Sequence, residues 1–141
     1  MNKPPLWFTV LAVLALLWNL AGLFAVVADL RLSAADIAAL PLDQQALYSA
    51  RPGWSVVASV VAVVGGTLGC IGLLLRRRWA LPALAASLVG VVVQDIGIFV
   101  VAGAASVAGV VPVVLQAVVF AIAVGLLLMA RRAVARSWLL P

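Results

Sequence analysis

Residues 6–28, 54–75 and 110–130 contain no charged side chain, apart from Asp95 in the fourth such block, residues 80–102. A hydrocarbon layer about 30 Å thick is crossed by roughly 20 apolar residues of helix. Each of the four blocks is long enough. Lipid offers the backbone no hydrogen-bond partners, so a spanning segment is a helix or part of a closed barrel. Barrel strands alternate polar and apolar residues, whereas these blocks are continuously apolar. The expected fold is therefore all-α: one integral membrane four-helix bundle over residues 1–141, with a short helical loop at 29–53 between the first two spans. Composition closes off a soluble alternative. The chain is 67% hydrophobic and 9% charged, against about 25% charged in a soluble domain.

Reactive groups are scarce. The chain has no histidine or glutamate, one cysteine, one lysine and four aspartates (Asp29, Asp36, Asp43 and Asp95). A lone cysteine closes no intrachain disulfide. Nothing supplies the three or four ligands of a zinc site or an imidazole base. No enzyme, metal site or cofactor is expected. The net charge of +5 does not point to nucleic acid, because the basic residues stand at the ends of apolar blocks. The expected partner is the lipid bilayer.

Charge also gives direction. Lys3, Arg76, Arg77, Arg78, Arg131, Arg132 and Arg136 fall on one side; Arg31 and Arg51 fall on the other, with three of the aspartates. Cytoplasmic segments collect Lys and Arg, so both termini and the RRR turn are expected in the cytoplasm of a bacterial inner-membrane protein, with 29–53 outside. Trp7, Trp54, Trp79 and Trp138 stand near span ends, where indoles favour the headgroup layer. Lys3 followed by an apolar run and Val26-Val27-Ala28 also has the form of a cleavable export signal. Its apolar stretch exceeds the usual 7–15 residues or so, and a retained first span is expected.

In the loop, Ser33 and Asp36 are spaced as a helix N-cap with an acidic third position, and Pro41 should end or restart that helix. Asp43 is expected to open a second short helix that Pro52-Gly53 ends. Leu30, Leu32, Ile37, Leu40, Leu42, Leu47 and Tyr48 would rest on the bundle or the headgroups. A sharper reading makes Asp43, Gln44, Gln45 and Arg51 a solute entrance.

Within lipid, small residues three or four apart let helices approach closely. The second span carries Ala58, Ala62, Gly65, Gly69 and Gly72, with Gly66 and Cys70 beside them as small packing residues. The third carries Ala83, Ser87, Gly90, Gln94 and Gly97; the first Ala12, Ala15, Asn19 and Gly22; the fourth Ala117, Ala121 and Gly125. Gly65, Gly69, Gly72, Gly90 and Gly97 are the expected packing positions, and the second span the expected centre.

The polar residues inside the spans form the candidate site: Asn19, Gln94, Asp95 and Gln116. Counted from the outer span ends at about 1.5 Å per residue, they lie roughly 13, 11 and 9 Å deep on spans one, three and four. That places them in one slab. An Asp at mid-helix costs about 2.5–3.5 kcal/mol on the insertion scale, and each Leu, Ile, Val or Phe returns about 0.3–0.6. Twelve such residues between Leu81 and Val101 keep the span in the membrane. No Lys or Arg lies within a span, so Asp95 is expected neutral, donating a hydrogen bond to Asn19, Gln94 or Gln116. Arg31 or Arg51 reaching down would ionise it instead.

LLWNLAG (16–22), ALPLDQQALY (39–48), GGTLGCIGLLLRRRWALP (65–82) and SLVGVVVQ (87–94) together resemble a group of short, four-span bacterial inner-membrane proteins. Its members are mostly uncharacterised, and some are automatically labelled sugar transporters. The resemblance covers about the first two thirds of the chain. It implies the same architecture and draws interest to Asn19 and Gln94. In that group an apolar or aromatic residue follows the glutamine, so Asp95 is a departure.

Two functions remain open. One is transport of a small solute past intramembrane polar groups, which four spans support only as a homo-oligomer or larger assembly. Small multidrug exporters work that way with a glutamate in the first span, which this chain lacks. The other is an accessory or assembly subunit of a larger membrane complex.

Overall fold

The computed structural model describes residues 3–101, 103 and 110–141. In chain order the helices are α1 (Leu6–Leu30), α2 (Ala34–Ala38), α3 (Leu42–Ala50), α4 (Gly53–Leu74), α5 (Ala80–Asp95) and α6 (Val110–Ala135). A π-helical turn, Ile96–Val101, prolongs α5. The all-α four-helix bundle is present, and α1, α4, prolonged α5 and α6 are each long and apolar enough to cross a membrane. Much of their surface is large apolar side chain, with Phe24, Val100 and Val111 more than 70% exposed. This is a small multi-pass membrane protein. The third span's expected end, Ala102, lies outside the described residues.

Proline marks the helix starts. Pro5, Pro41 and Pro52 stand in extended backbone as the N-caps of α1, α3 and α4. Pro82 and Pro112 fall in the first turns of α5 and α6, where a missing N–H breaks no helical bond. In α2 the Ser33 hydroxyl accepts from the Asp36 amide at 3.1 Å, and the Ser33 amide donates to the Asp36 carboxylate at 2.9 Å. These bonds hold the Asp36 carboxyl below its ordinary range.

The loop is tied down through Asp29. Its carboxylate accepts from the Tyr48 hydroxyl at 2.5 Å and from Arg51 at 3.0 Å. Of the residues that the sharper reading made a solute entrance, the side chains of Asp43, Gln45 and Arg51 are engaged within the loop. Gln45 donates to the carbonyls of Ala38 and Leu40, Asp43 accepts from the Gln44 amide, and Arg51 is held by Asp29. No residue of α2 or α3 is fully buried. Of the apolar residues expected to rest on the bundle or the headgroups, Leu32, Ile37, Leu40, Leu47 and Tyr48 are half-buried, and Leu30 and Leu42 are exposed.

The spans pack in chain order, α1 on α4, α4 on α5 and α5 on α6. The tightest joint is α4 with α5, where a methyl on Gly90 would lie 2.7 Å from the Ala58 carbonyl and the Ala62 amide. A methyl on Gly65 would meet the Ala83 carbonyl at 2.9 Å, and one on Gly72 the Ala80 side chain at 2.8 Å. Gly69 faces Leu84, and Gly97 faces Ser55. Glycine thus brings the two helices into close contact along the whole seam.

The fourth-span stripe does not pack. Ala117, Ala121 and Gly125 are exposed, and no described residue lies within 4 Å of a methyl built on Gly125. The cause is rotational: α6 turns Gln116, Val119 and Ala123 toward α5, which swings the stripe outward.

At the basic end α4 and α6 finish alike. Arg76 (φ 58°) and Ser137 (φ 59°) adopt left-handed backbone, and the amides of Arg77 and Trp138 bond back to the carbonyls of Gly72 and Ala133. Both are Schellman-type ends with a non-glycine residue at the left-handed position. The chain then lays residues 138–141 across the RRR turn. Leu140 exchanges bonds of 2.6 and 2.7 Å with the backbone of Arg76 and Arg78. Trp138, expected in the headgroup layer, is instead 8% exposed. It packs edge-on against Phe8 and Trp7 at centroid distances of 5.4 and 5.9 Å. Trp7, Trp54 and Trp79 remain over 40% exposed.

Gly90→Ala should cost about 1–3 kcal/mol through overpacking, while Gly125→Ala should leave stability unchanged or raised; thermal unfolding in one detergent compares them. Tyr48 is the chain's single tyrosine. Its hydroxyl titrates above the ordinary 10.0, chiefly because it donates to the Asp29 carboxylate. That contribution is complete below the ordinary value and lost as pH rises through the raised one. Ultraviolet titration should show the raised midpoint, and Asp29→Asn should return it toward normal.

Candidate functional site

One turn beyond Gly90 on the same face of α5 stands Gln94, 9% exposed. The α4–α5 seam brings it against Ser59, whose hydroxyl lies 2.6 Å from the Gln94 Oε1. On its other side the Gln94 Nε2 donates to the Gln116 Oε1 of α6 at 3.2 Å. Ser59 is also 3.1 Å from the Ser55 carbonyl. The result is a short hydrogen-bonded chain, Ser55–Ser59–Gln94–Gln116, that crosses from α4 through α5 to α6 inside the apolar bundle. The sequence pattern singles out Gln94 and Gln116 but not Ser59. The signal for Ser59 is a serine one turn after Ser55 in an otherwise aliphatic stretch.

Asn19 is placed differently. Its Nδ2 donates to the Ala15 carbonyl at 2.8 Å and to the Cys70 sulfur at 3.6 Å. Its Oδ1 lies so close to Gly66 that a methyl there would overlap it. Gly66 is thus the seat of Asn19, and the carboxamide nitrogen is spent on α1 and on the α1–α4 joint. Gly66 lies seven residues further along α4 than Ser59, or about 10 Å deeper at 1.5 Å per residue. The four residues therefore do not share one slab: Gln94 and Gln116 are level, and Asn19 is about two turns below them. The continuation of α1 to Leu30, two residues beyond the expected span end at Ala28, accounts for about 3 Å of that difference.

Asp95 joins neither group. Its Oδ1 is buried without a hydrogen-bond partner among the described residues, as is the Ser55 hydroxyl. The expected bonds to Asn19, Gln94 or Gln116 do not form, and Arg51 is engaged by Asp29. Neighbouring residues on a helix point about 100° apart, so turning Gln94 into the seam turns Asp95 away from it. Asp95 also ends the α-helical part of α5, and the wider π-helical turn starts at the next residue.

Asn19, Gln94 and Gln116 line a common cleft of about 310 Å³. Its walls are α1 from Trp18 to Val26 and α6 from Leu115 to Leu126, and its floor includes Ala62, Ser87 and Val91. None of the lining residues is charged. Ser87 is already bonded to the Ala62 carbonyl at 2.6 Å. The volume is near the lower end of the roughly 300–1,000 Å³ typical of small-molecule sites. At the basic end the cleft stops on the core that holds Phe8, Leu84 and Leu126.

Comparison with family models, with curated proteins and with solved structures gives no match.

Two polar side chains adjacent in sequence thus play unequal parts. Replacing Gln94 by Leu strands Gln116, leaves Ser59 its bond to the Ser55 carbonyl, and should cost about 0.6–2 kcal/mol for each bond lost. Asp95→Asn removes no hydrogen bond at Oδ1 and should unfold at the native temperature. Thermal unfolding of the two variants in detergent decides it.

Proposed function

We infer that the protein is a binding or carrier subunit for a small uncharged solute, acting as an oligomer in a bacterial inner membrane with both termini cytoplasmic. The observation that carries this reading is the Ser59–Gln94–Gln116 chain opening onto the α1–α6 cleft. Polar groups inside a membrane span are costly and mark ligand paths when they face a cavity. Here they come from three spans and meet at one level of a cleft large enough for a small molecule. The uncharged lining argues against ions, because a charge taken out of water without a partner is strongly disfavoured. It also argues against a sugar, the substrate class that the sequence resemblance suggested. Each sugar hydroxyl buried without a partner costs about 1–3 kcal/mol, and few hydrogen-bonding groups in this cleft are unspent. Among the described residues that line the cleft none is ionisable, which favours a binding role over an enzymatic one.

The accessory-subunit reading has one observation in its favour. The exposed Ala117–Ala121–Gly125 face of α6 is smooth enough to seat another helix. In the carrier reading that helix belongs to a second copy.

Labelling tests both parts. In a Cys70→Ala background, Gln116→Cys should react with a small maleimide in proteoliposomes, and Val91→Cys, on the buried floor of the cleft, should react more slowly. A membrane-impermeant maleimide added outside cells should modify Ser49→Cys and spare Arg78→Cys. No reaction at position 116 would remove the cleft as a ligand site, and labelling of position 78 from outside would invert the topology.

A further inference from the structure

The cleft has a wall missing. Among the described residues α1 packs along α4 and α6 along α5, while α1 and α6 share no extended packing with each other. They come together in the core at the basic end, through residues such as Phe8, Ala12, Leu126 and Ala130. Over the length from Trp18 to Val26 the gap between α1 and α6 is the cleft itself. Both helices turn large apolar side chains outward, Leu17, Phe24, Val114 and Leu115 among them. In a membrane the opening therefore faces acyl chains.

The hydrogen-bonded chain at the cleft has a second property. The Ser59 hydroxyl has one proton and two acceptors in reach, the Ser55 carbonyl at 3.1 Å and the Gln94 Oε1 at 2.6 Å. With the proton toward Gln94, the chain runs Ser59 to Gln94 to the Gln116 Oε1 and leaves the Gln116 Nε2 with no bond among the described residues. With the proton toward Ser55, both carboxamides turn over. Gln94 then donates to Ser59, Gln116 donates to Gln94, and the Gln116 oxygen is left at the end. A carboxamide's oxygen and nitrogen occupy nearly the same space, so the reversal moves no backbone and loses no bond.

We propose that the α1–α6 cleft binds an uncharged amphiphile that enters sideways from the lipid, its single polar group held by Gln116 as donor or acceptor according to the direction of the Ser59–Gln94–Gln116 chain. This rests on the cleft being a ligand site. It adds the substrate class, a molecule with an apolar body and one hydroxyl or carbonyl. The cleft's 310 Å³ equals about ten water-sized volumes, which suits a body of roughly ten carbons.

The test uses the full chain in nanodiscs and quenching of Trp18, isolated as the difference from Trp18→Phe, by brominated probes. 10-Bromodecan-1-ol and 10-bromodecan-2-one should quench saturably, each about fivefold tighter than 1-bromodecane, the worth of one net hydrogen bond. Gln116→Met should bring both to the bromodecane midpoint. If bromodecane binds the native chain as tightly as the alcohol, the polar chain recognises nothing and the inference falls while the cleft survives. The ketone only accepts and 2-(10-bromodecyl)pyrrole only donates; if just one of these two gains over bromodecane, the chain runs one way and the reversal is wrong. If glucose displaces the alcohol, the substrate class is wrong. Absence of saturable quenching by every probe removes the inference; with position 116 also unlabelled, the ligand site falls too. The native-chain ranking decides the matter even if Gln116→Met does not fold.

Discussion

Everything else in this bundle depends on the close contact between α4 and α5. Lipid tails are as apolar as leucine, so burying side chains between helices gains little over leaving them in the bilayer. What remains is close packing, and it strengthens as the backbones approach. Ala58, Ala62, Gly65, Gly69 and Gly72 on one helix and Gly90 and Gly97 on the other remove the side chains that would hold the axes apart. The seam fixes the register of two spans. Each of them then carries one outer helix, α1 on α4 and α6 on α5.

The polar chain is a consequence of that register. Gln94 stands one turn from Gly90, so the approach that forces glycine at 90 delivers the glutamine to Ser59. Its amide end then fixes the rotation of α6 through Gln116. Asn19 does the same for α1 at a deeper level, seated on Gly66 and bonded to Cys70. The two outer helices are thus set by two separate polar contacts at different depths. No extended packing draws those helices together beside the contacts, and the cleft is the space left.

Legibility in the sequence followed the range of each interaction. The spans and the capping box at Ser33 depend on residues adjacent in the chain, and both were readable. So were the seam glycines, because a small-residue repeat has the period of a helix. Which face of α6 turns inward was not readable: it depends on where Gln116 meets a residue 22 positions away, and the Ala117–Ala121–Gly125 repeat pointed to the wrong face. Asp95 drew attention because it is a charge among valines, yet its neighbour Gln94 holds the position that matters. The clamp of residues 138–141 over the RRR turn gave no signal, since Trp138 near a span end reads equally well as a headgroup anchor. The π-helical turn after Asp95 has no sequence pattern of its own.

Gln94 meeting Gln116 inside the membrane is the contact that joins the seam, the rotation of α6 and the cleft. The chain has four glutamines, of which Gln44 and Gln45 lie in the loop. Nuclear magnetic resonance of protein labelled at glutamine side-chain nitrogen, in deuterated lipid nanodiscs, isolates the other two. Cross-peaks between the carboxamide protons of one and the side chain of the other, with slow exchange against heavy water, are the expected result. Two glutamine signals that exchange freely and show contacts only to lipid would contradict it.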